Sequence, residues 1–132
     1  MNREVKISDD EWYGTDLKII FYHIRRYKMK PIKVFISQVM RGKTENEILC
    51  ERNIAIDKIK GMFSDRSIVI IDSYFEDYNP KEGSIPLKYL SKSLELLADA
   101  DVAYFCFGWD TARGCRIEHQ CAVEYGIDRI FD

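Results

Sequence analysis

The sequence has no long apolar run, no Cys-x-x-Cys pair and almost no net charge. Its longest apolar runs are far shorter than the ~20 residues that a transmembrane helix needs, and its first residues lack the apolar core of a signal peptide. Twenty Lys and Arg against 22 Asp and Glu give a formal net charge of -2, so no overall field attracts nucleic acid. We therefore expect a cytoplasmic protein that binds neither a membrane nor a nucleic-acid polymer.

The cysteines are too irregularly spaced for a disulfide framework or a zinc site. Two of the four lie where buried residues are expected. Reduced thiols are the better interpretation, and we expect no bound metal and no cofactor. The four positions are Cys50, Cys106, Cys115 and Cys121.

Two familiar nucleotide-binding motifs are also missing. The Gly-x-Gly-x-x-Gly of dinucleotide-binding proteins is absent, and the segment 37–44 would be a P-loop only if Ser37 were glycine. This loop can still offer a hydroxyl, backbone N–H groups and cations to a phosphate or sugar. The alternative is a solvated loop that ends in a helix cap at Thr44. The candidate ligand-binding residues here are Ser37, Gln38, Met40, Arg41, Gly42 and Lys43.

Alternating sequence periods predict an α/β fold. With 132 residues, 46% of them hydrophobic, the chain can bury one substantial core. Strands that alternate with crossover helices imply a parallel sheet. We expect a small Rossmann-like sheet of four or five strands in flavodoxin-like order, flanked by helices. The predicted strands are 32–36, 67–71, 102–107 and 129–131.

Three helices are predicted between these strands. The first begins at a capping box of Thr44 and Glu47, the second begins at Ser84 and Pro86, and the third covers about 115–125 before a C-cap at Gly126. The first two carry apolar stripes at helical spacing. Their members are Ile48, Arg52, Ala55, Ile56, Ile59, Met62 and Phe63 in the first, and Leu87, Leu90, Leu94 and Leu97 in the second.

Residues 1–28 form a predicted N-terminal extension to the α/β domain of residues 29–132. Ser8 and Glu11 make a second capping box, and an apolar stripe follows at helical spacing. This amphipathic helix either packs on the sheet or pairs with another subunit. We expect a homo-oligomer that uses it. The stripe consists of Tyr13, Leu17, Ile20, Phe21, Ile24 and Tyr27.

The segment 101–126 is predicted to be a buried strand, a polar loop and a helix with Glu118 in its first turns. Loops at the carboxyl ends of parallel strands form the ligand crevice of such folds. Near a helix N-terminus a carboxylate is expected to stay ionised, although a surface Glu is the ordinary alternative. His119 points away and is interpreted as a surface or packing residue. Aromatic residues in the loops can stack a base or cap the core; they are Tyr74, Phe75 and Trp109.

Four segments between about residues 31 and 127 resemble the phage and bacterial family of unknown function called DUF4406. That family is similar to the nucleoside 2-deoxyribosyltransferases and to the deoxynucleoside 5′-monophosphate N-glycosidases. The segments are Phe35-Ile-Ser-Gln-Val-Met-Arg-Gly42, Ile71-Asp-Ser-Tyr-Phe75, Lys92-Ser-Leu-Glu-Leu-Leu-Ala98 with Ala100-Asp-Val102, and Gly114-Cys-Arg-Ile-Glu-His119.

The resemblance implies that Glu118 attacks the anomeric carbon of a nucleoside or nucleotide. Where the family has an Asp that protonates or orients the leaving base, this chain has Ser93, and a hydroxyl cannot serve as that acid at pH 7. Asp110 is the first substitute and Asp72 the second. Ser37, Arg41 and Gly114 are expected to place the sugar and phosphate. The remaining candidate contacts to the substrate are Gln38, Met40, Gly42, Asp72, Ser93 and Trp109.

Two functions follow from this interpretation. The first is an N-glycosidase or N-deoxyribosyltransferase-like enzyme with Glu118 as nucleophile. The second is a phage protein that sequesters a nucleotide or an ADP-ribose-like signal without cleaving it. The helix-start Glu118 favours the enzyme, whereas Ser93 favours the binding protein.

Overall fold

Four short strands lie side by side in one parallel sheet with the order β2-β1-β3-β4. They are β1 (Ile32–Ser37), β2 (Ile68–Ile71), β3 (Val102–Phe105) and β4 (Asp128–Phe131). In the register, Val34 of β1 lies opposite Ile70 on one side and Val102 on the other. The predicted α/β class with flavodoxin-like order is confirmed.

The computed structural model describes Lys18, Ile20 and residues 30–132. The chain divides into two compact units, residues 1–30 and 31–132. Lys18 and Ile20 are helical and exposed. The predicted capping box at Ser8, the remainder of the N-terminal stripe and the oligomer contact lie outside the described residues.

Three helices and one short turn of 3₁₀ helix connect the strands. They are α1 (Glu45–Met62), α2 (Ile85–Leu97), α3 (Arg113–Glu124) and the 3₁₀ turn Trp109–Thr111. As predicted, α3 stops just before Gly126, whose φ of +70° suits glycine in the left-handed position after a helix. None of the helices in the described part of the chain is long and apolar enough to cross a membrane.

The central strands β1 and β3 have buried side chains on both faces of the sheet, since successive side chains of a strand point in opposite directions. Val34 and Ile36 of β1 pack with Ala55 and Ile59 of α1 on one face. On the other face, Phe35 belongs to a second cluster with members from α2, α3 and β3. That cluster comprises Phe35, Leu97, Ala103, Phe105 and Ala122.

Two predicted members of the apolar stripes are exposed. Met62, at the end of α1, is 50% exposed, and Leu87, in the first turn of α2, is 61% exposed. Both lie near a helix end, so the stripe prediction was wrong there. The third strand was also predicted too long: it ends at Phe105, and Gly108, with φ of +85°, precedes the 3₁₀ turn that follows.

The N-cap of α1 provides a test of the local structure. The Oγ1 atom of Thr44 accepts a hydrogen bond from the Glu47 backbone N–H at 3.2 Å, which is the Thr44 half of the predicted capping box. Thr44→Ala should lower the free energy of unfolding by about 1 kcal/mol, because one helix-start N–H loses its acceptor. Urea denaturation measures this change. Thr44→Ser keeps the hydroxyl and is the control; equal losses in both variants would contradict a capping role.

Candidate functional site

A cleft of about 1350 Å³ opens at the carboxyl ends of β1 and β2, and the segment that follows β3 and begins α3 lines its other side. In the order β2-β1-β3-β4, β2 is added on one side of β1. The chain then crosses over and adds β3 and β4 on the other side. The crevice between β1 and β3 is therefore the switch point at which open α/β sheets bind their ligands.

The base of this cleft contains a hydrogen bond between two elements that are distant in the sequence. Ser37 is the last residue of β1, and its hydroxyl Oγ donates to Oε1 of Glu118, in the second turn of α3, at 2.8 Å. Ser37 is 1% exposed and Glu118 is 7% exposed. The hydrogen bond from Ser37 reaches Oε1 of Glu118 and not Oε2.

Burial changes the acid strength of this carboxyl group. Desolvation raises the pKa of Glu118 to about 7, although the hydrogen bond from Ser37 acts in the opposite direction. The expectation that the helix N-terminus keeps Glu118 fully ionised was therefore wrong. Near pH 7 the acid and the carboxylate are both well populated.

Cys115 lies one helical turn before Glu118 and also lines the cleft. Burial raises the pKa of the Cys115 thiol to about 11, and the nearby charge of Glu118 raises it as well. Because the thiolate is the nucleophilic form of cysteine, this thiol is unreactive at neutral pH.

The loop after β1 is fixed by Gln38, which is buried. Its Nε2 donates to the Ile48 carbonyl at 2.7 Å and to Oε2 of Glu51 at 3.4 Å. Glu51 also accepts from Nζ of Lys43 at 2.8 Å. Lys43 is thus paired beside the cleft and does not line it, whereas Arg41 does.

A buried arginine, which we had assigned to an apolar stripe, anchors the loop after β2 at one side of the cleft. Arg52 of α1 donates to Oγ of Ser73 and to the Ile71 carbonyl, both at 3.1 Å. Ser73 in turn donates to the Ile36 carbonyl of β1 at 2.9 Å. This network ties the loop after β2 to the central strand. A lone arginine among apolar stripe positions was the signal that could have revealed it.

The walls of the cleft are aromatic and cationic. Among the described residues that line it, Glu118 is the only carboxylate. Besides the buried Phe35, three aromatic rings and three guanidinium groups line it. The rings belong to Tyr74, Phe75 and Tyr89, and the guanidinium groups to Arg41, Arg113 and Arg116. Of these, Tyr89, Arg113 and Arg116 were not among the predicted site residues.

Most of the predicted site residues meet in this cleft. Six line it, namely Gln38, Met40, Arg41, Ser93, Gly114 and Glu118, with Ser37 bonded to the carboxyl at its base. Gly42 does not line it. It has φ of +80° in the turn before α1, so its role is to shape the backbone.

The two predicted substitute acids do not line the cleft. Asp72 is exposed, and its Oδ1 accepts from the Tyr74 backbone N–H at 3.2 Å, which is a local turn contact. Asp110 is exposed in the 3₁₀ turn, and its backbone carbonyl accepts from Arg116 at 3.2 Å. Neither carboxylate stands beside Glu118 as the acid role would require.

Trp109 also lies outside the cleft. Its ring stacks on His119 with centroids 4.3 Å apart and contacts Phe105 at 5.4 Å. Of the two predicted roles for Trp109, capping the core is the one observed. His119 is the packing residue that its position on the helix indicated.

The chain was compared with known proteins. No protein-family model and no curated protein matches it. Among solved structures it is similar to a conserved protein from Enterococcus faecalis V583, with a TM-score of 0.55 and 12% sequence identity over 77% of this chain and 63% of that chain. The chain thus spans less than two thirds of that protein. At this identity the likeness shows the α/β fold alone.

Proposed function

We propose that this protein is an N-glycosidase or N-deoxyribosyltransferase-like enzyme that acts on a nucleoside or nucleotide, with Glu118 as its nucleophile. The observation that carries the proposal is the buried Glu118 carboxyl, bonded by Ser37 at 2.8 Å at the base of the cleft. The position at a sheet switch point and the resemblance of the segments around Ser37 and Glu118 to the transferase lineage support it.

The chemistry suits a carboxylate in this setting. Cleavage of an N-glycosidic bond develops positive charge at the anomeric carbon, which a neighbouring anion stabilises and then captures as a covalent ester. Ser37 holds one oxygen of Glu118 and leaves Oε2 to attack. Because the nucleophile must be ionised and the pKa of Glu118 is about 7, the rate should rise with pH through neutrality.

The cleft also offers groups for the rest of a nucleotide. Tyr74, Phe75 and Tyr89 provide flat apolar surfaces for a base, and Arg41 provides a cation for a phosphate. Among the described residues of the lining, the cations outnumber the single carboxylate. This balance favours an anionic ligand.

A second candidate function is sequestration of a nucleotide or an ADP-ribose-like signal without cleavage. The absence of another carboxylate from the described lining, with Ser93 where the family has Asp, favours it. In that case Glu118 accepts a hydrogen bond from a sugar hydroxyl and breaks no bond.

Mass spectrometry distinguishes the two functions. The protein is incubated with a panel of nucleosides and nucleotides, and both the mixture and the protein are then analysed. Release of free base with a glycosyl adduct on Glu118 is expected for the enzyme. Intact ligand that co-purifies with the protein, without free base or adduct, would support sequestration and contradict catalysis.

Arg41→Ala should weaken nucleotide binding about ten- to a hundredfold and leave nucleoside binding almost unchanged. A charge-assisted pair of about 1.5–3 kcal/mol is lost only when the ligand carries a phosphate. Titration calorimetry with matched nucleosides and nucleotides measures the difference. Lys43→Ala is the control, because Lys43 is paired with Glu51 outside the cleft lining. Equal losses for both ligand types in Arg41→Ala would mean that the loop does not bind phosphate.

A further inference from the structure

We propose that the substrate is an N-glycoside whose base carries a permanent positive charge and whose sugar carries a phosphate. This inference rests on the proposed function and specifies its substrate class. The observation behind it is the composition of the cleft: one buried carboxylate, an aromatic wall and three arginines.

The charge of the base decides how it can leave the sugar. A neutral base departs with an electron pair and becomes an anion unless an acid protonates it. Glu118 cannot attack as a carboxylate and donate a proton in the same step. A base that is already cationic departs as a neutral molecule and needs no proton.

The other described groups in and near the cleft are poor proton donors at pH 7. Asp72 and Asp110 are exposed and do not line the cleft. The Cys115 thiol, whose pKa burial raises to about 11, is too weak an acid at pH 7. Phenols and guanidinium groups are also poor proton donors at pH 7. The described part of the cleft is therefore equipped with a nucleophile and lacks a general acid.

The reaction balances without a further reagent. The Glu118 carboxylate forms a bond to the anomeric carbon, the C–N bond breaks, and its electron pair neutralises the departing base. Water then attacks the anomeric carbon, the carboxylate leaves, and one proton passes to solvent. Cleavage of a cationic substrate thus releases one proton for each base, whereas hydrolysis of a neutral nucleotide to a neutral base releases none from this step.

The surroundings of Glu118 suit a flat cation bound through a phosphorylated sugar. A cationic ring beside Glu118 stabilises the ionised carboxylate that the attack requires. One ring of the aromatic wall, Phe75, already contacts a cation, because Nζ of Lys92 lies 4.9 Å from its centroid. Lys92 itself does not line the cleft. The arginines of the lining can bind the phosphate.

Two matched pairs of probes test the substrate class with the full chain. The ribose pair is nicotinamide mononucleotide and its reduced, uncharged form. The deoxyribose pair is 7-methyl-2′-deoxyguanosine 5′-monophosphate and 2′-deoxyguanosine 5′-monophosphate. In at least one pair we expect kcat/KM for the cationic member to be about 10²–10⁴-fold higher, the usual contribution of a general acid. Chromatography measures the free base and a pH-stat measures the proton; reactions without protein give the background.

The outcomes separate this inference from the proposed function. If the neutral members are cleaved, with kcat/KM within tenfold of their cationic partners, the substrate class is wrong and the glycosidase proposal stands. If no probe and no member of the nucleoside and nucleotide panel is cleaved, and no adduct forms on Glu118, the glycosidase proposal fails and this inference fails with it.

A variant provides the second test. Ser93 lines the same cleft as Glu118, so Ser93→Asp adds a carboxyl group within it. The preference for the cationic probe should then fall by about 10²–10⁴-fold, because the neutral base gains a proton donor. Circular dichroism verifies the fold. If a folded variant cleaves the cationic probe with its preference unchanged, the supply of a proton does not decide the substrate and the inference is overturned.

Discussion

Glu118→Gln should lower the rate of N-glycosidic cleavage at least about a thousandfold, while ligand affinity changes by less than about tenfold. Glutamine has nearly the same size as glutamic acid and can still accept the hydrogen bond that Ser37 donates. It has no anionic oxygen to attack the anomeric carbon. The loss should therefore fall on kcat and not on substrate binding. Single-turnover release of free base measures the first quantity, and titration calorimetry measures the second.

Glu124→Gln is the matched control for this variant. Glu124 is the last residue of the same helix, is exposed, and accepts a hydrogen bond from Gln120 away from the cleft. The same chemical change there should leave cleavage within twofold of the wild type. Cleavage that persists unchanged in Glu118→Gln would remove this residue from the mechanism, and with it the chemistry of the deoxyribosyltransferases.

Glu118 is also expected to change how the free energy of unfolding depends on pH, and this can be measured without a ligand. Desolvation raises the pKa of Glu118 from an ordinary 4.5 to about 7. A carboxyl group whose pKa is raised in the folded state contributes fully to the stability of that state below pH 4.5. This contribution is lost as the pH rises through 7. At about 1.4 kcal/mol for each pKa unit, the ionised group costs the folded state about 3 kcal/mol above pH 8.

Glu118→Gln removes the cost of burying an ionised carboxylate, because the amide does not ionise. We compare the free energy of unfolding of the variant with that of the wild type at each pH. The difference should favour the variant by about 3 kcal/mol more at pH 8 than at pH 4.5. Urea denaturation of both proteins at the two pH values gives the difference, and Glu124→Gln should show no such gain. Parallel pH profiles for wild type and Glu118→Gln would mean that the carboxyl is not buried as described. A gain in stability with a loss of cleavage would identify Glu118 as a residue maintained for function.

The sheet could be predicted because its signals are local. β-branched runs, helix caps and their alternation are written in neighbouring residues, and β1, α1 and α3 were found close to their observed bounds. Glu118 could be found for the same reason, since it follows a buried strand and a polar loop, and loops at the carboxyl ends of parallel strands form the ligand crevice of such folds.

The predictions that were wrong or missing depend on contacts between residues that are distant in the sequence. Arg52 has helical spacing like its apolar neighbours, and only its bonds to Ser73 and Ile71 reveal why a cation is buried there. Asp110 is close to Glu118 along the chain, yet it lies in a 3₁₀ turn and does not line the cleft. The pKa of Glu118 depends on how completely the folded domain excludes water, and one sequence does not specify that.

The position of Ser37 on the central strand has a consequence for synthesis of the protein. Both neighbours of β1 in the sheet come later in the chain, and Glu118 follows Ser37 by 81 residues. At about 5–20 residues per second, the ribosome adds Glu118 roughly 4–16 s after Ser37. Within that interval β2 is added first and can pair with one edge of β1, whereas the other edge stays unpaired until β3 has been added. The nascent chain has no complete cleft until α3 has emerged.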